Sequence, residues 1–169
     1  MAKKPNRYTS KEAKQAGYAS GLEYRVSTQL QMMDRDFEYE SESCTFDYYT
    51  LVTKGGVVTE NGEDLELPKK AKVVQHRRYT CDFKILTSKG EPIFIETKGY
   101  FKPKDRVKHI MLKKLYPDAD IRIVFQSNGK VSSKTSYAQW AEKNGIRYYC
   151  LSSNDRKEGV IIPIEWLSE

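Results

Sequence analysis

Residues 79–99 read YTCDFKILTSKGEPIFIETKG. Two apolar runs rich in β-branched and aromatic residues flank Ser88-Lys89-Gly90, which predicts strand, turn, strand. The second run carries Glu96 and Lys98 two positions apart in an otherwise apolar setting. Strand side chains alternate, so Phe94, Glu96 and Lys98 share one face while Ile93, Ile95 and Thr97 share the other. Burying an unpaired charge is costly. Glu96 and Lys98 must therefore pair with each other, reach solvent at the strand end, or meet a ligand. Gly99 ends the strand directly after Lys98, which places both near a sheet edge or cleft. The first strand carries Asp82, and an antiparallel hairpin turning at Ser88–Gly90 brings Asp82 close to Glu96.

Two adjacent carboxylates repel unless a cation sits between them. Hard divalent ions with oxygen ligands, chiefly Mg²⁺, are bound in this way. A lysine beside them would orient or deprotonate a water, or neutralise charge on a phosphorane-like transition state. Asp…Glu-x-Lys thus suits metal-assisted phosphodiester hydrolysis. The spacing alone is unspecific, because a chain that is 31% charged produces it often. On pattern alone a surface salt bridge is the commoner origin, and such exposed pairs contribute little energy. The apolar strands around the pair favour catalysis, since a solvated pair belongs on an alternating polar face.

Working outward, residues 1–19 are basic and polar without hydrophobic period and read as a flexible arm. Residues 20–169 read as one domain. Leu22, Val26, Leu30 and Met33 recur at helical spacing after Ser20, a plausible N-cap. FEYESESCTFDYYTLV predicts strand, and residues 47–78, with Gly55-Gly56, Asn61-Gly62 and Pro68, predict an elaborated bridge or hairpin. A helix begins near Pro103 and ends before Pro117, with Val107, Met111 and Leu115 on its apolar face and Ile110 and Leu112 widening it. DIRIVFQ reads as a buried strand. TSYAQWAEKNG reads as a helix capped by Thr135 or Ser136 and stopped by Gly145. IRYYCL is another strand and IPIEWLSE a short terminal element. The order α-β-β-β-α-β-α-β implies an α/β domain, a mixed sheet with helices packed on it.

With 29 Lys+Arg against 23 Asp+Glu, the formal charge is +6. That favours an anionic partner without naming one. Cys44, Cys81 and Cys150 form no CxxC pair and have no histidine at zinc-ligand spacing, which argues against a zinc site. The odd count and the N-terminal sequence, which lacks a secretory apolar core, predict a reducing intracellular setting. No stretch is apolar enough to span a membrane, and no organic cofactor is indicated.

Three further sets of residues bear on chemistry. Ser20-Gly21-Leu22-Glu23 is an S-x-x-E capping box, which explains Glu23 without any function; in the first turn of its helix, Glu23 could also reach a site at the sheet's end. Lys102, Lys104, Arg106, Lys108 and His109 follow the Glu-x-Lys strand and read either as a solvated helix face or as a phosphate-gripping stripe. His76, Arg77 and Arg78 could extend that stripe, His76 being the more ordinary strand residue. Tyr137, Trp140 and Trp166 read as core.

SGLE, YTCDF, IETKG, DRVKHIMLKKLYPDADIRIVF, TSYAQWAEKNGI and IPIEWL, in this order, resemble the phage endonuclease I family of Holliday-junction resolvases. The resemblance covers residues 20 to 46 and 79 to 169. It implies a restriction-endonuclease-like, PD-(D/E)XK core acting on branched DNA in the cytoplasm of an infected bacterium. By position, Glu23, Asp82, Glu96 and Lys98 resemble the family's catalytic residues. Asp82, Glu96 and the Thr97 carbonyl would hold Mg²⁺, or Mn²⁺ in its place. Glu23 would complete a second metal site, giving two ions per active site. The family's domain-swapped homodimer implies composite sites, with Glu23 of one chain beside Asp82, Glu96 and Lys98 of the other. Cys81 replaces the usual proline. Residues 47–78 are longer than the family's connecting segment. The chain ends at WLSE without a basic tail, which shifts the expected DNA grip to the N-terminal arm. Two rival readings are a nicking, repair or restriction nuclease of the same superfamily, and a protein that binds junctions without cutting.

Overall fold

The strand–turn–strand unit around residues 79–99 forms the middle of a five-stranded sheet. The computed structural model describes residues 10–60 and 63–168. In chain order it contains α1 (Ser10–Gln15), α2 (Gly21–Met32), β1 (Phe37–Tyr39), a 3₁₀ turn (Glu42–Cys44), β2 (Thr45–Glu60), β3 (Glu63–Thr80), β4 (Phe83–Leu86) and β5 (Pro92–Lys98). There follow α3 (Pro103–Leu115), β6 (Asp120–Phe125), β7 (Lys130–Ser132), β8 (Thr135–Ser136), α4 (Tyr137–Lys143), β9 (Tyr148–Cys150), α5 (Ser153–Glu158) and α6 (Ile164–Ser168).

The sheet order is β1-β4-β5-β6-β9. β1 and β5 flank β4 antiparallel, whereas β5, β6 and β9 run parallel. Parallel neighbours need a crossover, and α3 supplies it between β5 and β6, α4 between β6 and β9. The predicted mixed α/β architecture is therefore observed. Alternation along β5 divides the core as expected. Ile93 and Ile95 join Phe83, Ile85 and Val124 under α2 (Leu22, Val26, Leu30) and the C-terminal segment (Ile161, Ile162, Trp166). Phe94 faces the opposite side, against Phe46, Tyr79 and Leu112. A third cluster joins Phe125 to Phe101, Tyr137 and Ala141 of the α4 layer. Trp140 packs against that cluster, so all three aromatics expected in the core lie in or against it.

Several expectations need correction. Residues 10–15 are helical, and Ala13 is fully buried, so the described part of the N-terminal segment packs on the body. Residues 1–9 lie outside the described residues. Met33 caps α2 and is exposed, leaving Leu22, Val26 and Leu30 as the inner stripe. In α3 the buried residues are His109 and Leu112, while Val107 and Leu115 face solvent. The inner stripe His109–Leu112–Tyr116 has proper i, i+3, i+7 spacing, but two of its members are polar-tipped rings that an apolar periodicity passes over. Asp82 sits in the bend between β3 and β4 and not within a strand.

Residues 47–78 form a long hairpin, one of the two arrangements expected of them. β2 and β3 pair with each other within one chain, from Thr45↔Thr80 to Lys54↔Ala71 and, after a register shift, from Gly56↔Leu67 to Glu60↔Glu63. The two strands form a self-paired ribbon about 50 Å long, at ~3.4 Å per residue. Its base packs through Phe46 and Tyr79 onto Phe94 and Leu112. Tyr49, Leu51 and Val74 farther out are exposed. No helix among the described residues is long and apolar enough to cross a membrane.

Candidate active site

The hairpin register decides the site. Phe83 pairs with Ile95, so the next position outward sets Asp82 opposite Glu96. Glu96 is 2% exposed. Such burial is tolerable only with partners, and three donors supply them. Lys98 forms an ion pair with Oε1. Lys108 of α3 approaches the same oxygen at 3.4 Å, and the Tyr79 hydroxyl donates to Oε2 at 2.5 Å. The question posed by the buried Glu-x-Lys pair is thus answered: the two pair with each other at the strand end, where Lys98 is partly open to solvent. Burial alone would raise the Glu96 carboxyl, but Lys108 and Lys98 outweigh it and hold the group below its usual range. Burial lowers Lys98, yet Glu96 more than compensates and its ammonium is stabilised.

Asp82 has the opposite balance. Its Oδ2 accepts from the Thr97 N–H and the Thr97 hydroxyl, each at 2.7 Å. No cation pairs with it among the described residues. Burial first, then the Glu96 charge, pushes its carboxyl up to about 7, with Glu23 adding to the rise against the two Thr97 bonds. An oxygen-rich site with one carboxylate lacking a cation is the electrostatic setting that a hard divalent ion relieves.

Glu23 lies in the first turn of α2 and is 7% exposed. Its N–H donates to Ser20 Oγ at 3.2 Å, so Ser20 caps the helix as predicted. The carboxylate accepts from Ser20 Oγ at 2.6 Å, from the Ala19 N–H at 3.0 Å and from the Tyr39 hydroxyl at 2.6 Å. This is a variant of the box, reaching back to Ala19 and outward to β1. Tyr39 pairs with Phe83, and the Glu40 N–H donates to the Asp82 carbonyl at 2.9 Å. α2, β1 and the Asp82 bend are therefore joined within one chain.

The donor set fits a metal in kind. Asp82, Glu96 and the Thr97 carbonyl offer hard oxygens, although among the described residues no three His, Cys, Asp or Glu side chains come together closely enough to hold a metal ion by themselves. Glu23 is already engaged by three donors.

The expected phosphate-gripping residues separate. Lys102 and Lys104 are exposed at the start of α3, and Arg106 is half-buried, donating to the Phe101 carbonyl at 3.0 Å. Lys108 turns inward to Glu96 and belongs to the site. His109 must be corrected: it is 2% exposed, sits against Tyr79 and Phe101, and cannot reach a phosphate from there. Burial pushes its imidazole down to about 4, so it is neutral. Arg77 is exposed beside Gln75, whereas Arg78 pairs with Glu42 and Asp47. Tyr79 and Tyr39 were missed as site residues. Their signal was faint: each lies next to a residue already singled out or to a strand end, and tyrosine is common here, at twelve residues.

Comparisons with known proteins identify the family. The family model described as phage endonuclease I matches residues 50–169. The Endonuclease I of Escherichia phage T7 is 32% identical over 166 residues, covering 96% of this chain and 87% of that protein. The Endodeoxyribonuclease 1 of Enterobacteria phage T3 is 35% identical over 144 residues, covering 83% and 76% respectively. With this coverage, and with the acidic pair and lysine assembled at the end of β5, the chain belongs to the phage endonuclease I family.

Proposed function

We propose that the protein is a metal-dependent endodeoxyribonuclease that hydrolyses phosphodiester bonds in branched DNA and resolves four-way junctions. The observation that carries this reading is the half-buried Asp82 opposite the buried Glu96 with Lys98 beside it, at the open end of a strand in a basic chain. The related phage enzymes named above support the nuclease class.

Asp82, Glu96 and the Thr97 carbonyl would hold Mg²⁺, with Mn²⁺ able to replace it, and Glu23 would complete a second ion's site. The bound ion supplies a nucleophilic water at neutral pH and charge compensation at the phosphoryl oxygens. The chain's own groups do the remainder. Thr97 holds Asp82 in place through two hydrogen bonds. Tyr39 and Ser20 fix the orientation of Glu23. Lys98 orients the attacking water or neutralises the scissile phosphate. Lys102, Lys104 and Arg77, all exposed, would grip flanking phosphates. Cutting two strands of one junction requires two sites, which a two-fold homodimer would supply.

The test incubates a labelled four-way junction and a matched linear duplex with the protein, in Mg²⁺ or in chelator. Junction cleavage in Mg²⁺ alone, lost in Asp82→Ala and Glu96→Ala with junction binding retained, is the expected result. Cleavage that survives excess chelator sinks the metal mechanism. Binding without cleavage in every metal tried points to a non-cutting junction protein.

A further inference from the structure

The β2–β3 ribbon is divided by charge. Residues 45–54 and 68–80, the half nearer the body, carry six Lys and Arg against one acid, Asp47. Residues 55–67, the tip, carry four Asp and Glu and no Lys or Arg. The boundary falls at the register shift between Lys54 and Gly56, where Lys70 takes a left-handed backbone with φ 68°. A bulge bends the strand that carries it, so the charge reverses where the ribbon turns. In the basic half Lys54, Lys70, Lys72 and Arg77 are exposed, and no carboxylate pairs with any of the four among the described residues. Arg78 differs, being held by Glu42 and Asp47.

The register sets Tyr49, Leu51 and Val74 on one face with Lys72, and the three are 39, 63 and 56% exposed. Cations crowded on a thin ribbon repel one another, and an exposed apolar face calls for cover. Duplex DNA answers both needs. Its phosphates neutralise the cations, and its major groove, about 12 Å wide, admits a two-stranded ribbon and offers thymine methyls to apolar side chains. The ribbon also starts at the site, because the Tyr79 hydroxyl donates to Glu96. From Tyr79 to Lys70 it spans about 30 Å at ~3.4 Å per residue, close to one turn of B-DNA at ~34 Å. We propose that the basic half of the ribbon is a DNA arm, lying along one duplex arm of the substrate. Lys54, Lys70 and Lys72 join Arg77 on phosphates up to one turn from the cleaved bond, and the acidic tip ends the grip. The inference rests on the nuclease reading and adds a surface outside the site.

Binding of the full chain to four-way junctions in chelator tests it. Hairpin-closed arms of about 6 or about 16 base pairs lie below and above the ~9 that 30 Å spans at ~3.4 Å per pair. The parent should bind the long-armed junction about 10- to 100-fold more tightly than the short-armed one. The triple variant Lys54→Gln, Lys70→Gln, Lys72→Gln should shrink that difference to within about 3-fold. Its slope of log affinity against log salt on long arms should be shallower by about 2.7, at ~0.9 per phosphate contact. Arginine at the same three positions keeps the charge and should stay within about 3-fold of the parent. Asp64→Asn with Glu66→Gln removes tip charge and should not weaken binding. Hydroxyl-radical footprints of the parent should reach about 9 base pairs along an arm.

A triple variant that keeps the arm-length dependence and the salt slope overturns the arm. So does a parent footprint confined to the base pairs next to the crossover, a result that needs no variant to fold. If Leu51→Ser with Val74→Ser changes the sedimenting mass of the DNA-free protein and leaves long-arm affinity untouched, a second copy covers this face and the proposal falls. Cleavage keeps the two readings apart. At saturating protein in Mg²⁺ the triple variant should cut the short-armed junction within about 3-fold of the parent, since only binding energy has been removed; slower cutting there would place the lysines at the site and overturn the arm. A parent that cuts no DNA in any metal defeats the nuclease reading, whereas a parent that cuts while its affinity ignores the three lysines defeats only the arm.

Discussion

Replacing Asp82 with asparagine should stabilise the metal-free protein while abolishing its chemistry. Asp82 is held mainly by burial and by Glu96 at a pKa of about 7, against an ordinary 3.8. A raised carboxyl means that the folded state binds the proton more tightly than the unfolded chain. Stability is therefore unaffected below 3.8, falls as pH rises through the window up to about 7, and is lowest above it. The rise corresponds to roughly 4 kcal/mol above pH 7. Asparagine cannot ionise, and its Oδ can still accept from the Thr97 N–H and hydroxyl. Allowing about 1 kcal/mol for exchanging charge-assisted bonds for neutral ones leaves a gain of roughly 3 kcal/mol at pH 8. For a domain of this size that is about 6–12 °C in Tm. Thermal melts in chelator at pH 4 and pH 8 read it directly: Asp82→Asn should melt well above the parent at pH 8 and near it at pH 4. Adding Mg²⁺ should then raise the parent and leave the variant unchanged, since only the parent retains the full donor set. An asparagine variant no more stable than the parent at pH 8, or one equally stabilised at both pH values, would refute the claim that Asp82 lacks its counter-ion in the metal-free fold.

Other consequences follow from the packing. Arg122 is fully buried and bound bidentately to Asp120, at 3.0 and 2.5 Å, so Asp120→Ala should cost about 3–5 kcal/mol in urea unfolding by removing the carboxylate that faces a buried cation. Gln29 ties α2 to the C-terminal segment by accepting from the Ile161 and Ile162 N–H groups at 2.7 and 2.8 Å and donating to the Ile162 carbonyl at 2.8 Å. Gln29→Leu should cost about 2–4 kcal/mol and raise amide exchange near Ile161, because three buried backbone groups lose their partners. Mixing Glu23→Ala and Asp82→Ala proteins under exchange should give no nicking of a four-way junction if Glu23 acts with the Asp82 of its own chain, near which the fold places it. Activity near a quarter of the parent's would instead show sites shared across a two-fold dimer.

Local chemistry was legible where one element decided it. The 79–99 hairpin was readable because its apolar runs and the Ser88–Gly90 turn belong to adjacent residues, and the pairing of Phe83 with Ile95 then put Asp82 opposite Glu96. Ser20 and Ser136 were readable as caps for the same reason. What depended on tertiary packing was not. The buried stripe of α3 contains His109, which counts as polar in any periodicity, yet a neutral imidazole beside Tyr79 and Phe101 is an acceptable core group. Lys108 was read as one charge in a basic run, because its distinction from Lys104 is the presence of Glu96 on a neighbouring element. α1, α5 and the short β7–β8 ribbon carry too few apolar residues to announce themselves.

The ribbon shows why an extended insertion can leave such a site intact. Its two ends meet at the Thr45↔Thr80 pair, where the hydroxyls lie 2.9 Å apart, and the Cys81 N–H donates to the Cys44 carbonyl at 3.0 Å. From that point the chain enters β4, whose Phe83 pairs with Tyr39 of β1, and Tyr39 holds Glu23. The geometry linking Glu23 to Asp82 is therefore fixed at the ribbon's base, by Phe46 and Tyr79 packed on Phe94. Added rungs lengthen the distal end and move none of these atoms. Closing a longer loop costs little extra entropy, and each added rung brings its own backbone hydrogen bonds. Length can vary freely at the tip, whereas a change at Phe46 or Tyr79 acts on the Glu96 carboxylate, because Tyr79 is at once the last core residue of the ribbon and a donor to the site.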